Sequence, residues 1–212
     1  MGATDAVVGI DLYWLPVGAG ASAHVVRPSS RLFEAVAARW QGRTPRDLFH
    51  AALRVRVGDN TWVIEMAPAW GPGPREHGTV RSGPVGLRGL GRSRLFRYEV
   101  RCWRNGVLPD LAEAVDSPVP VPTDADRVRR LLLLTTTFPT ATWGRDEMGA
   151  GEMWNSNSLV SWLLAASGHD TASLRPPPGG RAPGWDAGLV AAARQEIRSS
   201  AGTRSGPATR TG

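Results

Sequence analysis

Ser156 is the residue whose surroundings in the sequence best suit covalent chemistry. It stands in Asn155-Ser156-Asn157-Ser158-Leu159-Val160-Ser161-Trp162-Leu163-Leu164, which reads as the opening of a helix. Asn155 is a good N-cap, so Ser156 falls in the first turn. Leu159, Val160 and Leu163 follow at three, four and seven residues, which puts Ser156 at the N-terminal end of the buried stripe. A hydroxyl there meets unpaired backbone N–H groups and the positive end of the helix dipole, a setting that suits a developing oxyanion. The dipole alone does not ionise a serine, so nucleophilic attack also requires a base. The plainer reading is capping: helix starts recruit Ser and Asn whatever the protein does, and Ser158 shares that role.

Four histidines are available as the base. His24 and His77 fall in loop sequence, and His169 follows the helix stop at Gly168. Only His50 lies in a well-patterned strand. Alternation puts Phe49, Ala51, Leu53, Val55 and Val57 on one face, and His50, Ala52, Arg54 and Arg56 on the other. Glu65, on the returning strand, shares the His50 face if the turn at Gly58-Asp59-Asn60 holds two residues, and lies on the opposite face if it holds three. In the first case Glu65 is placed to orient and charge-stabilise the imidazole, as the acid of a triad does. The competing reading pairs Glu65 with Arg54 across the strands, worth under about 1 kcal/mol if exposed.

These residues need a scaffold, and the chain is long enough for one. Its 212 residues are 42% hydrophobic, which suffices for a core in one substantial domain. No apolar run approaches the roughly 20 residues of a membrane span. Asp5 and Asp11 interrupt the first apolar stretch and no basic region precedes it, unlike a signal peptide, so a cytoplasmic location is expected. All 25 basic residues are arginine and the net charge is +6. The arginines are scattered apart from a cluster over 88–104, and neither zinc-finger spacing nor an RNA-binding aromatic signature accompanies them, which disfavours nucleic acid as a partner. The single cysteine, Cys102, allows no internal disulfide and reads as a small buried strand residue. There is no Gly-x-Ser-x-Gly elbow and no phosphate-binding glycine loop, so no cofactor is implied. Asp146, Glu147 and Glu152 lack a regular ligand spacing, and no metal is expected.

The pattern along the chain predicts an α+β fold. Strands are expected over 7–15, 48–57, 61–67 and 96–103, and helices over 30–40 (capped by Ser30, with Leu32, Phe33, Val36 and Trp40 on one stripe), from Asp124 through the 130s, and from Asn155 to Gly168. The apolar run Leu131 to Leu134 suggests a helix buried all round. Residues 68–91 and 109–122, rich in Gly and Pro, read as loops. The approach loop 142–154 is dense in Trp, Gly and acids: Trp143 and Trp154 either wall a substrate pocket, to which Asn155 and Asn157 would also belong, or pack on the core. Pro176 to Gly180 reads as extended, and 185–197 as a short helix or lid. The whole is expected to form one domain over 1–198, with a disordered tail over 199–212.

The order of these segments resembles the lecithin–retinol acyltransferase-like proteins, circularly permuted relatives of papain and of the NlpC-type cell-wall peptidases. His50 matches their strand histidine. Val63-Ile64-Glu65-Met66-Ala67-Pro68 resembles their second strand, with Glu65 at the further polar position. Asn155-Ser156-Asn157-Ser158-Leu159-Val160 resembles the helix opening Asn-Cys-x-x-Phe-Val, with Ser156 in place of the nucleophilic cysteine. The resemblance covers about 45–168 and implies a permuted papain-like sheet packed against a nucleophile-bearing helix. It implies a hydrolase or acyltransferase acting on an amide or ester, with Ser156 as nucleophile, His50 as base and Glu65 as orienter, on a small-molecule or peptide acyl substrate. The departure bears on activity: a thiolate forms readily beside histidine, whereas serine needs general-base help in the attack itself. The alternative is an inactive binding or scaffold protein on the same fold.

Overall fold

In the computed structural model, residues 7–18, 34–35, 38–40, 42–69, 78–108 and 110–204 are described. The strands β1 (Val8–Pro16), β2 (Phe49–Val57), β3 (Asn60–Pro68), β4 (Thr79–Pro84), β5 (Arg97–Arg104) and β6 (Val119–Val121) form one sheet in the order β4-β5-β3-β2-β1-β6. Every pairing in it is antiparallel. The helices α1 (Ala125–Leu134), α2 (Ser156–Ala166) and α3 (Trp185–Arg204) complete an α+β fold.

Alternation along the strands sorts the sheet into two faces. Ile10, Leu12, Trp14, Phe49, Ala51, Leu53, Val55, Ile64, Met66, Tyr98 and Val100 join α2 in the main core. The other face holds a smaller cluster of Tyr13, Leu15, Ala52 and Val63, covered by Leu108. Helix α2 is central, with every residue from Ser156 to Leu164 buried. Helix α3 crosses it at Gly188, where a Cβ would lie 2.1 Å from Ser161 Oγ and 2.3 Å from the Ser158 carbonyl oxygen. Trp185, at the start of α3, packs on Trp14 with ring centroids 5.2 Å apart. The segment expected as a short helix or lid is therefore a helix whose first part, Trp185 to Ala192, packs in the core. It continues to Arg204, past the point where a disordered tail was expected, and 205–212 lie outside the described residues.

Several expectations are met in detail. The Asp124 side chain caps α1 by accepting from Arg127 N–H at 2.8 Å, and α2 stops before Gly168, whose φ of +87° suits glycine. Others need correction. Only Val128 and Leu131 of α1 are buried, and Leu133 is 67% exposed. Consecutive leucines on a helix point around most of its circumference, so an i, i+3 pair reaches the core, Leu132 and Leu134 pack against its margin, and Leu133 faces outward. Strands β4 and β6 fall in stretches expected to be loops. Both are sheet edges, where Pro and Gly are tolerated. Pro176 to Gly180 turns, with Gly180 N–H donating to the Pro177 carbonyl, rather than running extended. Of the expected 30–40 helix, 34–35 and 38–40 are helical, but Trp40 is 88% exposed instead of lying on the apolar stripe. Ser30, Leu32, Phe33 and Val36 lie outside the described residues, as do His24 and His77.

Candidate functional site

The β2–β3 hairpin is what aligns His50 with Glu65. Val57 pairs with Asn60, so the turn holds two residues, Gly58 and Asp59, and Asn60 belongs to the strand. Gly58 has φ +56°, which glycine adopts freely. A two-residue turn puts His50 and Glu65 on the same face, the one away from α2. His50 pairs in register with Leu15 of the smaller cluster. From the Leu53–Ile64 pair to the turn the two strands are bonded; toward the other end they part.

Asn157 fills that gap. Its Oδ1 accepts from Ala51 N–H at 2.7 Å, and its Nδ2 donates to the Phe49 carbonyl at 3.0 Å. The side chain thus bonds the two residues flanking His50 as a neighbouring strand would. The rest of the helix opening ties down the chain before α3. Asn155 and Asn157 each donate to the Pro183 carbonyl at 2.8 Å. Ser158 Oγ donates to the Gly184 carbonyl and Ser161 Oγ to that of Trp185, both at 2.7 Å. Asn155 and Ser158 also complete a capping box.

Ser156 is the exception. It is 6% exposed, and among the described residues its hydroxyl makes no hydrogen bond. No hydrogen bond joins Ser156, His50 and Glu65 to one another, although all three are described. Burial pushes the half-buried His50 imidazole down to about 4, which keeps it neutral near pH 7. Glu65 is held elsewhere: its Oε1 lies 3.2 Å from Arg101 Nη1, and Arg101 Nη2 lies 3.4 Å from Glu99 Oε2. Burial raises the Glu65 pKa although Arg101 pulls it down. Glu65 is therefore ion-paired across strands, but to Arg101, its register partner on β5, and not to Arg54. Arg54 instead stacks on the Tyr13 ring, 5.0 Å from its centroid. The sequence signal for the Glu65–Arg101 pair is weak, because it depends on which strand lies beside β3.

The aromatic approach loop packs inward. Trp154 is fully buried and stacks on Phe138 at 5.0 Å. Trp143 is partly buried against Tyr98 at 5.8 Å and bridges Val85 to Trp154. The acids of the loop are engaged as well. Asp146 accepts from the N–H groups of Ala150 and Gly151, Glu147 pairs with Arg88, and Glu152 accepts from Gly184 and Asp186. Among the described residues, no three His, Cys, Asp or Glu side chains converge as a metal site. Neither of two surface clefts, about 410 Å³ and 810 Å³, is lined by Ser156, His50 or Glu65. The larger reaches Phe49, beside His50, between Pro16-Val17 and Pro177-Pro178.

His169 carries a polar arrangement that sequence reading passed over. Its Nδ1 lies 2.8 Å from Ser167 Oγ and its Nε2 2.8 Å from Thr123 Oγ1. Ser167 Oγ donates to the Leu163 carbonyl at 2.6 Å, so Nδ1–H donates to Ser167 and bare Nε2 accepts from Thr123. The ring is buried and its pKa is lowered, first by burial. It braces the end of α2 against the start of α1. Cys102 is half-buried, with its thiol pushed up to about 11 by burial, and is not poised to react.

No protein-family model, curated protein or solved structure matches the chain.

Proposed function

We propose that this protein is a non-catalytic binding or scaffold module built on a permuted papain-like arrangement. The observation that carries this reading is the assignment of the polar groups around the helix opening. Asn155, Asn157, Ser158 and Ser161 all bond backbone of neighbouring segments, and Glu65 serves Arg101. Polar groups committed to backbone hold a core in one conformation. On this reading the position that resembles a nucleophile's has become the N-terminal anchor of the central helix.

A second reading is favoured by one specific observation. Ser156 has the one hydroxyl in the helix opening without a hydrogen bond among the described residues, and Asn157 holds that opening against the backbone on both sides of neutral His50. In this reading the Ser156 oxygen attacks an amide or ester carbonyl, the N–H groups of the first turn hold the oxyanion, and His50, whose side chain belongs to the other face of β2, takes the proton through the gap between β2 and β3 that Asn157 occupies. Glu65 takes no part, because its carboxylate is paired.

Fluorophosphonate labelling of the full chain separates the two. The binding reading expects no labelling above that of Ser156→Ala. Stoichiometric labelling of the wild type that vanishes in both Ser156→Ala and His50→Gln would establish the second reading and remove the first.

A further inference from the structure

The connection between β4 and β5 forms an ordered tip whose side chains point outward. Two 3₁₀ turns, Arg88–Arg92 and Arg94–Phe96, build it, and neither contains a buried residue. Its backbone is nonetheless organised: Leu90 N–H donates to Leu87 C=O, Ser93 to Leu90, and Phe96 to Ser93, at 3.0–3.1 Å. The Val85 N–H, donating to the Phe96 carbonyl at 2.8 Å, closes the base. On this frame Leu87 is 53% exposed, Leu90 42%, Leu95 65% and Phe96 41%. Leu87 is the extended residue that leads into the first turn, and Leu90 lies within it.

The charge on the tip has one sign. Between Gly86 and Arg97 the chain carries four arginines and no carboxylate. Arg88 reaches back to Glu147 and Arg97 to Ser82, which leaves Arg92 and Arg94 beside the exposed leucines. Among the described residues, Arg94 donates only to the Ala69 carbonyl, at 3.3 Å, and Arg92 has no partner. Exposed Leu and Phe side chains next to the guanidinium groups of Arg92 and Arg94 match the boundary between acyl chains and anionic headgroups. Arginine also donates to phosphate in a two-pronged geometry.

We propose that this tip docks the protein on an anionic lipid surface, with Leu87, Leu90, Leu95 and Phe96 entering the interface and Arg92 and Arg94 at headgroup level. Size and shape favour lipid over a protein partner. A stable protein interface takes about 800 Å² and 20–30 residues from each side, more than a tip of twelve residues supplies, whereas a membrane requires no complementary shape. A single-stranded nucleic acid is the poorer match, since Phe96 is the single aromatic of the tip available to stack on bases. Attachment is peripheral, because no helix among the described residues is long and apolar enough to cross a membrane. The proposal stands whether or not Ser156 reacts.

Sedimentation of the full chain with vesicles tests it, using phosphatidylcholine alone and with roughly one-third phosphatidylglycerol. Binding is expected to the anionic vesicles, at least about tenfold weaker to the neutral ones, and reduced by high salt. The variant Leu87→Ser/Leu90→Ser/Leu95→Ser is expected to lose at least about tenfold in affinity. Arg92→Ser is expected to lose roughly fivefold. These side chains are exposed, so both variants should keep the wild-type melting temperature, which the same samples verify. Three results would overturn the proposal: no binding to anionic vesicles, equal binding to both vesicle types, or unchanged binding by the tip variants. Tip-dependent binding to an acidic peptide or an oligonucleotide, without vesicle binding, would also overturn it and assign the tip to another class of partner.

Discussion

At the scale of single residues, Asn157 matters more to this molecule than the serine beside it. One carboxamide replaces strand pairing at Ala51 and Phe49 and also reaches Pro183. Asn157→Ala leaves a buried N–H and two carbonyls without this partner. At about 1–3 kcal/mol for each buried group that stays unsatisfied, a loss of roughly 2–4 kcal/mol is expected, allowing for partial collapse. Urea unfolding measures it, and a loss under about 1 kcal/mol would mean that the parted strands close without the side chain. Asn157 was legible as part of a helix opening, because Asn and Ser before an apolar run mark a helix start. Its bonds to β2 were not, since they join residues more than one hundred positions apart.

At the scale of elements, the crossing of α2 and α3 is governed by Gly188. Alanine is the better helix former by about 1 kcal/mol, which alone would make Gly188→Ala stabilising. Its Cβ, however, would sit 2.1 Å from Ser161 Oγ, 2.3 Å from the Ser158 carbonyl oxygen and 2.9 Å from Trp162 N. Two of these contacts are with backbone, so the helices must move apart and the Ser161–Trp185 bond lengthens. A net destabilisation of about 1–3 kcal/mol is expected, as for overpacked cores, and a raised melting temperature would show that the crossing is looser than described. The edges of the sheet show a different constraint. The N–H of Trp14 donates to Ser117 and its carbonyl accepts from Val115, so β1 turns this set of groups toward β6. Leu12 and Ile10 then bond Val119 and Val121, and Pro120 faces outward, where it offers no N–H to an added strand. Proline was read as a sign of loop, although at an edge strand it is compatible with pairing.

For the molecule as a whole, half-buried His50 and buried His169 contribute to the response to acid. His50 has its folded pKa lowered from 6.5 to about 4, and that of His169 is lowered too. A lowered pKa means that the folded state resists protonation. The corresponding stability is present above the unfolded value near 6.5 and is lost as pH falls toward 4. Glu65, with its raised pKa, acts in the opposite sense: its contribution is present at low pH and lost as pH rises. Comparing His50→Gln with the wild type isolates the histidine. Between pH 7 and pH 4.5 the wild type should lose about 2 kcal/mol more than the variant. Parallel pH–stability curves would show that His50 is more solvated than its position in the sheet implies.

Local patterning was enough to reveal the α+β class, strands β1, β2, β3 and β5, the caps of α1 and α2, and the buried stripe of α2. These follow from periodicity and capping, which act within a few residues and are written directly in the chain. The strand order, the Glu65–Arg101 pair and the arrangement of α3 against α2 depend on which distant segments become neighbours, and no local rule specifies that choice. Sequence reasoning brought Ser156, His50 and Glu65 together through spacing and resemblance. The tertiary structure decided what surrounds each. Asn157 bonds the strand on both sides of His50, Arg101 takes the Glu65 carboxylate, and the Ser156 hydroxyl has no bond among the described residues. Side chains acquire their partners only when the sheet and the helices close on one another, because hydrogen bonds and ion pairs act over a few ångströms in space and not along the sequence.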